Sequence, residues 1–396
     1  MNDPVIVATA RSPIGKAYKG SLVGKRADDL AAEMVQSALA QVPELSVDQI
    51  DDLIMGCACP GGEQGFNIAR TVAVLCGYDS LPGVTVNRFC ASSAQGLRMA
   101  SHAIRAGESR AVIVGGTESV SRLIPGNPDS VEGRNPILDN PREREPEWHD
   151  PRTAGRAPNF YMEMGITAEN VAGLHGVSRE AMDRFAENSQ RKTESARESG
   201  FWDTEITSVR LDDGTIVAAD DGPRPSTTME KLASLEPIFD PRGSVTAGNA
   251  CGLNDGAAAM VVVSDDCARE LGLTPLARIV ATGVSGLSPE IMGLGPVEAS
   301  RRALAQAGMT IEDIDQFEIN EAFAAQVIPC QQQLGIPDEK LNVNGGGIAL
   351  GHPYGMTGAR IANTLIHSLR ARDQRFGLET MCVAGGQGMA IIIERL

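Results

Sequence analysis

The amino-acid sequence predicts an α/β protein built from two related halves, and three observations support this prediction. Short β-type runs alternate with helical patterns, one helical segment recurs near the carboxyl end, and the 396 residues include 43 glycines but only 4% aromatic residues. Alternating strands and helices are typical of βαβ units around a mostly parallel sheet, and frequent glycines are typical of tight turns. We therefore expect a tightly turned α/β protein of more than one structural unit.

The first 120 residues show the alternation most clearly. Short runs rich in valine, each typical of a strand, lie at residues 5–8, 84–87 and 111–114. Between the first two runs, Leu30, Met34 and Ala38 recur at the spacing of one helix face. After residue 277 the same alternation resumes and ends in a strand.

Residues 121–158 interrupt the alternation. Seven of the 22 prolines fall in this stretch, and residues 142–152 are dominated by charged side chains. A long helical pattern follows, with Ser178 as the expected N-cap and Ser199-Gly200 as its end. We interpret this part of the chain as an inserted loop region and not as core.

A ten-residue repeat relates the two α/β stretches. Residues 96–105 (GLRMASHAIR) align with residues 358–367 (GARIANTLIH), and each segment follows a Val-Asn pair and precedes an apolar strand that closes on glycines. Four positions match: Gly96 with Gly358, Arg98 with Arg360, Ala100 with Ala362, and Ile104 with Ile366. A duplicated fold can build one site from equivalent loops of both halves.

Charge and composition exclude several classes of protein. A formal net charge of −16 opposes nonspecific binding to nucleic acid or to an anionic membrane, so an anionic substrate needs a local basic patch. The chain has no apolar run long enough to span a bilayer, and its first residues resemble a strand and not an export signal. We expect a cytoplasmic protein whose eight cysteines are free thiols.

Cys90 is the first candidate for chemistry. It lies in VTVNRFCASSAQGLRMA, where a strand gives way to a helix. A thiol at the positive end of a helix dipole favours the thiolate, and the thiolate is the nucleophile. Most free cysteines are small buried hydrophobic residues, and that interpretation remains open from spacing alone.

His352 lies in a glycine-rich turn, NVNGGGIALGHPYGMTGAR, that enters a helix. A histidine there can take a proton from a nearby thiol or donate to a developing oxyanion. The glycines also resemble a phosphate cradle. However, the segment lacks the Lys-Ser/Thr ending of a P-loop, and no acidic residue follows at the dinucleotide-binding distance.

Cys382 and Asn320 are the remaining candidates. The glycines after Cys382 leave backbone N–H groups free to face an oxyanion, although a core cysteine beside structural glycines explains the pattern equally well. Asn320, in EINEAFAA, follows a predicted strand. Its amide either holds a water or caps the next helix, and capping is the commoner role.

Together, six segments resemble the thiolase family, in family order and across essentially the whole chain. Any one of them could be a coincidence, but six in the same order are not. The segments are NRFCASS around Cys90, GGTESVS (115–121), SVTAGNACGLNDGAAA (244–259), NEAFA (320–324), NVNGGGIALGHPYGMTGAR (342–360) and CVAGGQGMA (382–390).

The resemblance implies the thiolase fold, in which two duplicated α/β halves form a five-layer αβαβα arrangement with an inserted loop domain. On this basis we assign residues 1–120 and 245–275 to the N-terminal half. Residues 121–244 form the inserted loop domain, and residues 276–396 form the C-terminal half.

The resemblance also implies a ping-pong acyltransferase in which Cys90 is acylated and the acyl group passes to coenzyme A, or to acetyl-CoA in the reverse condensation. His352 would activate Cys90 and line one oxyanion hole with a water held by Asn320. Cys382 would be the acid and base at the α-carbon of acetyl-CoA. The backbone N–H groups of Cys90 and Ala384 would form the second oxyanion hole.

Coenzyme A is then a co-substrate, and neither a permanently bound cofactor nor a metal is expected. Acyl-CoA thioesters are the expected partners, and the family habit predicts a homodimer or homotetramer. The residues expected to contact CoA or the acyl group are Arg224, Ala247, Cys251, Phe323 and Glu163.

Three positions depart from the family pattern. Ser93 and Ala384 stand where the family usually has glycine, so a Cβ at residue 384 requires a negative φ or tolerated strain. Cys251 replaces a serine that usually bonds the pantetheine, which exchanges a good hydrogen-bond partner for a weak one. We expect an intact but reshaped second oxyanion hole and weaker CoA binding.

Glu163 bears on the substrate. It stands in YMEMG, where thiolases specific for acetoacetyl-CoA often carry histidine, and this favours a 3-ketoacyl-CoA with a longer or bulkier acyl chain. Two alternatives remain. A synthase-type condensing enzyme usually lacks the second reactive cysteine, here Cys382, and a thiolase-like acyl-CoA or lipid-binding protein would have lost catalysis.

Overall fold

A computed structural model describes residues 2–123, 133–140 and 148–396. Residues 124–132 and 141–147, which belong to the proline-rich and charged stretch of the inserted region, lie outside the described residues. Within the described ranges, no helix combines the length and apolar character needed to cross a membrane.

Twelve strands and eleven helices make up the described structure. The strands are β1 (Pro4–Arg11), β2 (Gly15–Lys16), β3 (Asp52–Gly56), β4 (Gly83–Val86), β5 (Ala111–Ser119), β6 (Val209–Arg210), β7 (Ile216–Val217), β8 (Asn254–Ser264), β9 (Ala277–Gly286), β10 (Gln316–Ile319), β11 (Phe376–Val383) and β12 (Gln387–Arg395). The helices are α1 (Ala27–Leu39), α2 (Ile68–Leu75), α3 (Ser92–Ala106), α4 (Met164–His175), α5 (Arg179–Glu198), α6 (Met229–Ala233), α7 (Asp265–Leu271), α8 (Gly295–Ala307), α9 (Ala324–Leu334), α10 (Gly347–Leu350) and α11 (Thr357–Ala371).

The main sheet has the same strand order in both halves of the chain. Its order is β10-β11-β12-β9-β1-β8-β5-β3-β4, and β2 pairs with β8. Read outward from the centre, β1-β8-β5-β3 of the first half corresponds to β9-β12-β11-β10 of the second. The halves join where β1 and β9 pair antiparallel over two residues, Val5 with Arg278 and Ile6 with Ala277. The duplicated sequence therefore folds into a duplicated topology.

The prediction of a mostly parallel sheet is wrong for the strands nearest the centre. Only the pairs β3–β4, β3–β5 and β10–β11 are parallel. The tight turn between β11 and β12 allows only antiparallel pairing, because parallel neighbours need a long crossover. β8, which follows the inserted region, likewise pairs antiparallel with both β5 and β1.

Three layers of helices enclose the two halves of the main sheet, so the five-layer αβαβα arrangement is confirmed. Along β8, Ala257, Ala259, Val261 and Val263 pack toward α1 and α2, whereas Ala258, Met260 and Val262 pack toward α3 and α11. The same alternation in β12 directs its residues either to α3 and α11 or to α8 and α9. Helices α3 and α11, which carry the sequence repeat, therefore share the central layer.

The central layer depends on close contact between the two repeated helices. A Cβ on Gly358 of α11 would lie 2.6 Å from the Cβ of Ala94 in α3, so glycine is required there. The hydroxyl of Ser93 accepts a hydrogen bond from the N–H of Ala359 at 2.9 Å. Ser93 thus satisfies a free N–H in the first turn of the partner helix, which gives this departure from the family glycine a structural role.

The region between β5 and β8 contains helices α4, α5 and α6 and the short hairpin of β6 and β7. As predicted, the Ser178 hydroxyl caps α5, accepting from the N–H of Ala181 at 3.2 Å, and Gly200 follows the helix with a φ of +74°. Helix α4 contacts the C-terminal half at α9. The inserted region therefore lies against the C-terminal half, although its exact boundaries stay a prediction.

Candidate functional site

The candidate residues lie at or beyond the carboxyl ends of strands, and both halves of the chain contribute some of these strands. Cys90 follows β4, Asn320 follows β10, and Cys382 occupies the end of β11. His352 lies in the loop between α10 and α11. The carboxyl ends of strands in open α/β sheets are where ligands usually bind, and here both halves contribute to one such place.

Cys90 occupies a single 3₁₀ turn, Phe89–Ala91, immediately before α3. Phe89 adopts a left-handed φ of +45°, which is uncommon for a bulky residue. Its N–H donates to Oδ1 of Asn87 at 2.8 Å, and its carbonyl accepts from the hydroxyl of Ser92 at 2.6 Å. These bonds hold the strained turn that presents the half-buried Cys90 thiol at the start of α3.

The helix terminus favours a thiolate at Cys90, but burial of the thiol acts in the opposite direction. Burial is the main cause that raises the pKa of Cys90 to about 11, and the Glu118 carboxylate adds to the rise. The backbone N–H groups of Ala384 and of Cys90 itself oppose it. Desolvation outweighs the helix dipole, so the thiol is neutral at rest and needs a base.

The turn between β11 and β12 carries the opposing N–H. Gly385 and Gly386 have φ of +74° and +79°, whereas Ala384 is not among the described residues with positive φ. The Cβ at residue 384 is therefore accommodated without left-handed strain, and the Ala384 N–H reaches the Cys90 sulfur. A sulfur that lies beside N–H groups from both halves marks the place where loops of the two halves meet.

His352 is almost fully buried and is held at both ring nitrogens. Nδ1 lies 2.6 Å from Oγ1 of Thr357, which donates its own proton to the carbonyl of Pro353 at 2.7 Å. Because the hydroxyl proton is already committed, Nδ1 must be the protonated nitrogen and Nε2 carries the lone pair. Burial and, to a smaller extent, the nearby charge of Arg360 together lower the pKa of His352 to about 3. The imidazole is thus neutral, with its lone pair at Nε2 facing the side-chain amide of Asn320.

Asn320 faces His352 and does not cap a helix. Its Nδ2 lies 3.3 Å from Nε2 of His352, and its backbone N–H donates to the carbonyl of Thr380. Helix α9 begins four residues further on, with Phe323 at its N-cap position. The capping interpretation is therefore wrong. The side-chain Oδ1 is buried and has no hydrogen-bond partner among the described residues, so it can accept a bond from a ligand.

Cys382 is fully buried at the end of β11, in the cluster of apolar residues between the inserted region and the C-terminal half. Burial raises its pKa well above the usual range, and the Cys90 and Cys251 thiols add to the rise. Cys382 is thus a protonated thiol, able to donate a proton before it can accept one.

Glu118 is a buried residue to which the sequence alone did not assign a role. Its carboxylate accepts from the N–H groups of Ala58 at 2.9 Å, Cys59 at 3.1 Å and Gly355 at 2.9 Å. It therefore ties the end of β3 to the loop that carries His352. The GGTESVS motif flagged this segment, but its partners only become visible in three dimensions.

Arg224 and Ala247 line one cavity of about 390 Å³, together with Ala250, Gly252 and Ile348. Cys251 lies between two of these lining residues, and burial raises its pKa to about 12. The predicted contacts Arg224, Ala247 and Cys251 are thus brought together.

A second cavity, of about 280 Å³, shares Arg224 with the first and is also lined by Lys16 and Lys19. Burial, and then the charge of Arg224, lowers the pKa of Lys16. Mutual proximity of cations is unfavourable unless an anion joins them. These residues form the local basic patch that an acidic protein needs for an anionic substrate.

Phe323 and Glu163 are placed differently. Phe323 is buried, its ring packs edge-on against Phe239 with centroids 6.1 Å apart, and Cys251 packs against the same apolar cluster. Glu163 is exposed at the start of α4 and is not among the residues that line the Arg224 cavity.

Two family models together match nearly the whole chain. Residues 4–266 match the thiolase N-terminal domain, and residues 273–395 match the thiolase C-terminal domain. The chain is 44% identical over 405 aligned residues to a 3-ketoacyl-CoA thiolase of Salmonella choleraesuis, covering 100% of both chains. It is 43% identical to a 3-ketoacyl-CoA thiolase of Pseudoalteromonas translucida, again over 100% of both chains.

Solved structures agree with this similarity. The Bacillus anthracis acetyl-CoA acetyltransferase superimposes with a TM-score of 0.89 at 38% identity and covers 100% of this chain and 99% of its own. Human mitochondrial 3-ketoacyl-CoA thiolase in complex with CoA superimposes with a TM-score of 0.87 at 35% identity, covering 100% of this chain and 98% of its own.

Proposed function

The chain belongs to the thiolase family, and from this premise we propose that it cleaves 3-ketoacyl-CoA with coenzyme A, or runs the reverse condensation, through an acyl-cysteine at Cys90. One observation carries the proposal. The backbone N–H groups of Cys90 and of Ala384, one from each half, both lie close enough to the Cys90 sulfur to lower its pKa. Two backbone N–H groups that converge beside a nucleophile can also donate to the oxygen of an acyl group bound to it, which is what an oxyanion hole requires.

The first half-reaction uses His352 as the base. Nε2 takes the proton of the Cys90 thiol while the sulfur attacks the 3-keto carbon of the substrate. With the thiol pKa near 11 and the imidazole pKa near 3, a resting ion pair is not populated, so proton transfer accompanies the attack. The oxygen of the attacked ketone gains negative charge and is received by the N–H groups of Cys90 and Ala384, whereas the thioester oxygen of the acetyl-CoA part is received by a water bound to Asn320 and by His352.

Cleavage of the bond between C2 and C3 then leaves the acyl group on Cys90 and a carbanion at C2 of acetyl-CoA. Cys382, a protonated thiol, supplies the proton that converts this carbanion into acetyl-CoA. In the second half-reaction the Cys382 thiolate takes the thiol proton of the incoming coenzyme A, whose sulfur attacks the acyl-cysteine. The N–H groups of Cys90 and Ala384 hold the oxygen of the acyl group in both half-reactions, and His352 returns its proton to Cys90.

The basic patch supports the assignment of coenzyme A as co-substrate. Lys16, Lys19 and Arg224 line adjoining cavities, and Lys231 lines the cavity that also holds Ala247. Phosphate groups are dianionic and bind such clusters through charge-assisted hydrogen bonds. We place the phosphates of coenzyme A against these side chains and the pantetheine arm past Ala247 and Cys251, toward Cys90.

We propose a 3-ketoacyl-CoA with a chain longer than acetoacetyl as the substrate. Glu163, in place of the histidine frequent in acetoacetyl-CoA enzymes, is exposed at the start of α4 and adds a negative charge there. The full-length relatives named 3-ketoacyl-CoA thiolase, at 44% identity, point the same way.

We also propose that the enzyme is a homodimer or a higher homo-oligomer. β4 is the last strand of the sheet, so its outer edge is unpaired. Next to it, Phe66 is 97% exposed, and Val74 and Leu75 of α2 are about half exposed. An unpaired edge beside exposed apolar side chains is suited to pairing with a second copy. Location in the cytoplasm stays a prediction.

The test of the function is intact-mass spectrometry after mixing the protein with acetoacetyl-CoA or with a longer 3-ketoacyl-CoA. We expect an acyl adduct that disappears in Cys90→Ser and is discharged by coenzyme A. A Cys382→Ser variant should accumulate little product, because the carbanion lacks its proton donor. Absence of an adduct with any 3-ketoacyl-CoA would leave the binding-protein alternative, and an adduct from which coenzyme A releases no acyl-CoA would favour the synthase alternative.

A further inference from the structure

We propose that Glu290 is a positioning residue that sets the preference of the enzyme for long acyl chains. In this role Glu290 fastens part of the inserted region to the C-terminal half, so that Phe160 forms a wall of the acyl pocket. The inference rests on the proposed function, because it concerns the acyl group carried by Cys90.

Glu290 connects two parts of the chain that are far apart in sequence. It lies in a 3₁₀ turn, Pro289–Leu294, of the C-terminal half, and it is 1% exposed. One carboxylate oxygen accepts from Nε1 of Trp148 at 2.8 Å, and the other accepts from the N–H of Asn159, also at 2.8 Å. Both of these partners belong to the inserted region.

The chemistry of the two partners selects a carboxylate. An indole N–H and a backbone N–H are both donors, so the side chain between them must offer two acceptors. A glutamine would satisfy one donor with its oxygen and oppose the other with its NH₂ group. The main-chain carbonyl of Glu290 adds a third bond to this region, accepting from Nδ2 of Asn170 at 3.0 Å.

The attachment places Phe160 against the turn between β11 and β12. Asn159 not only donates to Glu290 but also accepts the N–H of Tyr161 at 3.0 Å, so the residues on both sides of Phe160 are held. The Phe160 ring lies 2.7 Å from where a Cβ of Gly385 would be, which means that the ring covers this glycine directly.

The turn between β11 and β12 is hydrogen-bonded to the same segment that carries Glu290. The carbonyl of Gly386 accepts the N–H of Leu287 at 2.8 Å. Glu290 therefore holds the part of the inserted region that carries Phe160 to a 3₁₀ turn, and the residues just before this 3₁₀ turn are bonded to the turn between β11 and β12. Displacing Glu290 would move Phe160 relative to Gly385 while leaving the bonds of the turn in place.

The position of Phe160 makes its effect depend on chain length. Gly385 is the next residue after Ala384, whose N–H faces the Cys90 sulfur, and consecutive Cα atoms are about 3.8 Å apart. Phe89, beside Cys90, also approaches Gly385, at 3.6 Å from the same Cβ position. We expect an acetyl group on Cys90 to be too short to contact the Phe160 ring, and an aliphatic chain of about six carbons or more to reach it and lose contact with water.

The kinetic experiment compares Glu290→Ala and Glu290→Gln with the parent enzyme on acetoacetyl-CoA and on a 3-ketoacyl-CoA of about ten or more carbons. For Glu290→Ala we expect kcat/KM on the long substrate to fall about tenfold, mainly through KM, and to stay within about twofold on acetoacetyl-CoA. Glu290→Gln should lose less, because one of the two bonds survives. Glu298→Gln, at a half-exposed carboxylate of α8, is the matched control.

Equal losses on both substrates would show that Glu290 is merely structural, and no loss on either would show that the attachment does not matter; each result overturns the proposal. A parent protein that cleaves neither substrate would instead refute the proposed function, and fluorescence then still tests the attachment. The chain has only two tryptophans, so subtracting the signal of Trp148→Phe isolates Trp148. We expect Glu290→Ala to at least double acrylamide quenching of this signal, and unchanged quenching would refute the attachment.

Discussion

The hydroxyl of Thr357 lies 2.6 Å from Nδ1 of His352, and the same hydroxyl donates to the carbonyl of Pro353. This pair fixes the imidazole as the Nδ1–H tautomer and leaves the lone pair on Nε2, where Asn320 approaches. In the proposed mechanism the neutral thiol of Cys90 loses its proton to that lone pair. The proposed competence of the nucleophile therefore depends on Thr357, the first residue of α11.

Thr357→Val should lower the rate of acylation of Cys90 by about tenfold to a hundredfold, because Nδ1–H loses its buried acceptor. Thr357→Ser retains the hydroxyl and should keep most of the activity. Rapid-quench mass spectrometry of the acyl adduct measures the rate directly. Equal rates for the valine and serine variants would contradict this role of the hydroxyl.

The pH dependence of acylation should be level from about pH 5 to pH 9. Burial lowers the pKa of His352 to about 3, so the base is lost only as the pH falls toward that value. Burial raises the pKa of Cys90 to about 11, so the free thiolate appears only as the pH rises toward that value. Single-turnover rates across this range test the expectation, and a midpoint near 6.5 would contradict it.

Arg224→Ala should raise KM for coenzyme A about fivefold and leave kcat nearly unchanged, because a phosphate contact made by this exposed side chain contributes on the order of 1 kcal/mol. The expected loss shrinks as salt rises, since the interaction is screened. Arg184→Ala, which removes an exposed arginine from α5, is the control. Equal effects of the two changes would argue against a phosphate site at Arg224.

Cys251→Ser should strengthen binding of coenzyme A about threefold, because a hydroxyl is a better hydrogen-bond partner for the pantetheine amides than a thiol. Cys251→Ala removes the thiol without adding a hydroxyl and should give no gain. Calorimetric titration with coenzyme A compares the three proteins. A gain shared by serine and alanine would mean that only the size of the side chain matters.

Phe66→Asp should convert the oligomer into a monomer, because it places a charge among the exposed apolar residues beside the β4 edge. Light scattering coupled to gel filtration measures the molar mass. Ile216→Asp, at an apolar residue of β7 that is also about half exposed, should leave the mass unchanged. A parent protein that is already monomeric would refute the proposed oligomer.

Part of the fold could be predicted from the sequence, because duplication is visible as a repeat. The match of residues 96–105 with residues 358–367 anticipated that α3 and α11 occupy equivalent places. The antiparallel pairing of β1, β8, β9 and β12 could not be predicted, since strand direction depends on how distant segments meet and not on local pattern. The N-cap at Ser178 was predictable because capping involves only neighbouring residues.

The sequence was a better guide to which residues form the candidate site than to the protonation state of their side chains. The motifs singled out Cys90, His352 and Cys382, but spacing alone pointed to the helix terminus beside Cys90 and not to the burial that raises the pKa of its thiol. Glu118 escaped assignment because its partners, Ala58 and Gly355, are remote in sequence.

The shared central layer makes the two halves a single thermodynamic unit. Each half covers the inner face of its sheet with both α3 and α11, and the Ser93 hydroxyl joins these helices through the N–H of Ala359. If either half unfolded alone, the other would expose that face to water. Heat or denaturant should therefore melt this chain in one cooperative transition, although the sequence matches two family domains. Cutting the chain between residues 266 and 273 should yield fragments that fold only when mixed.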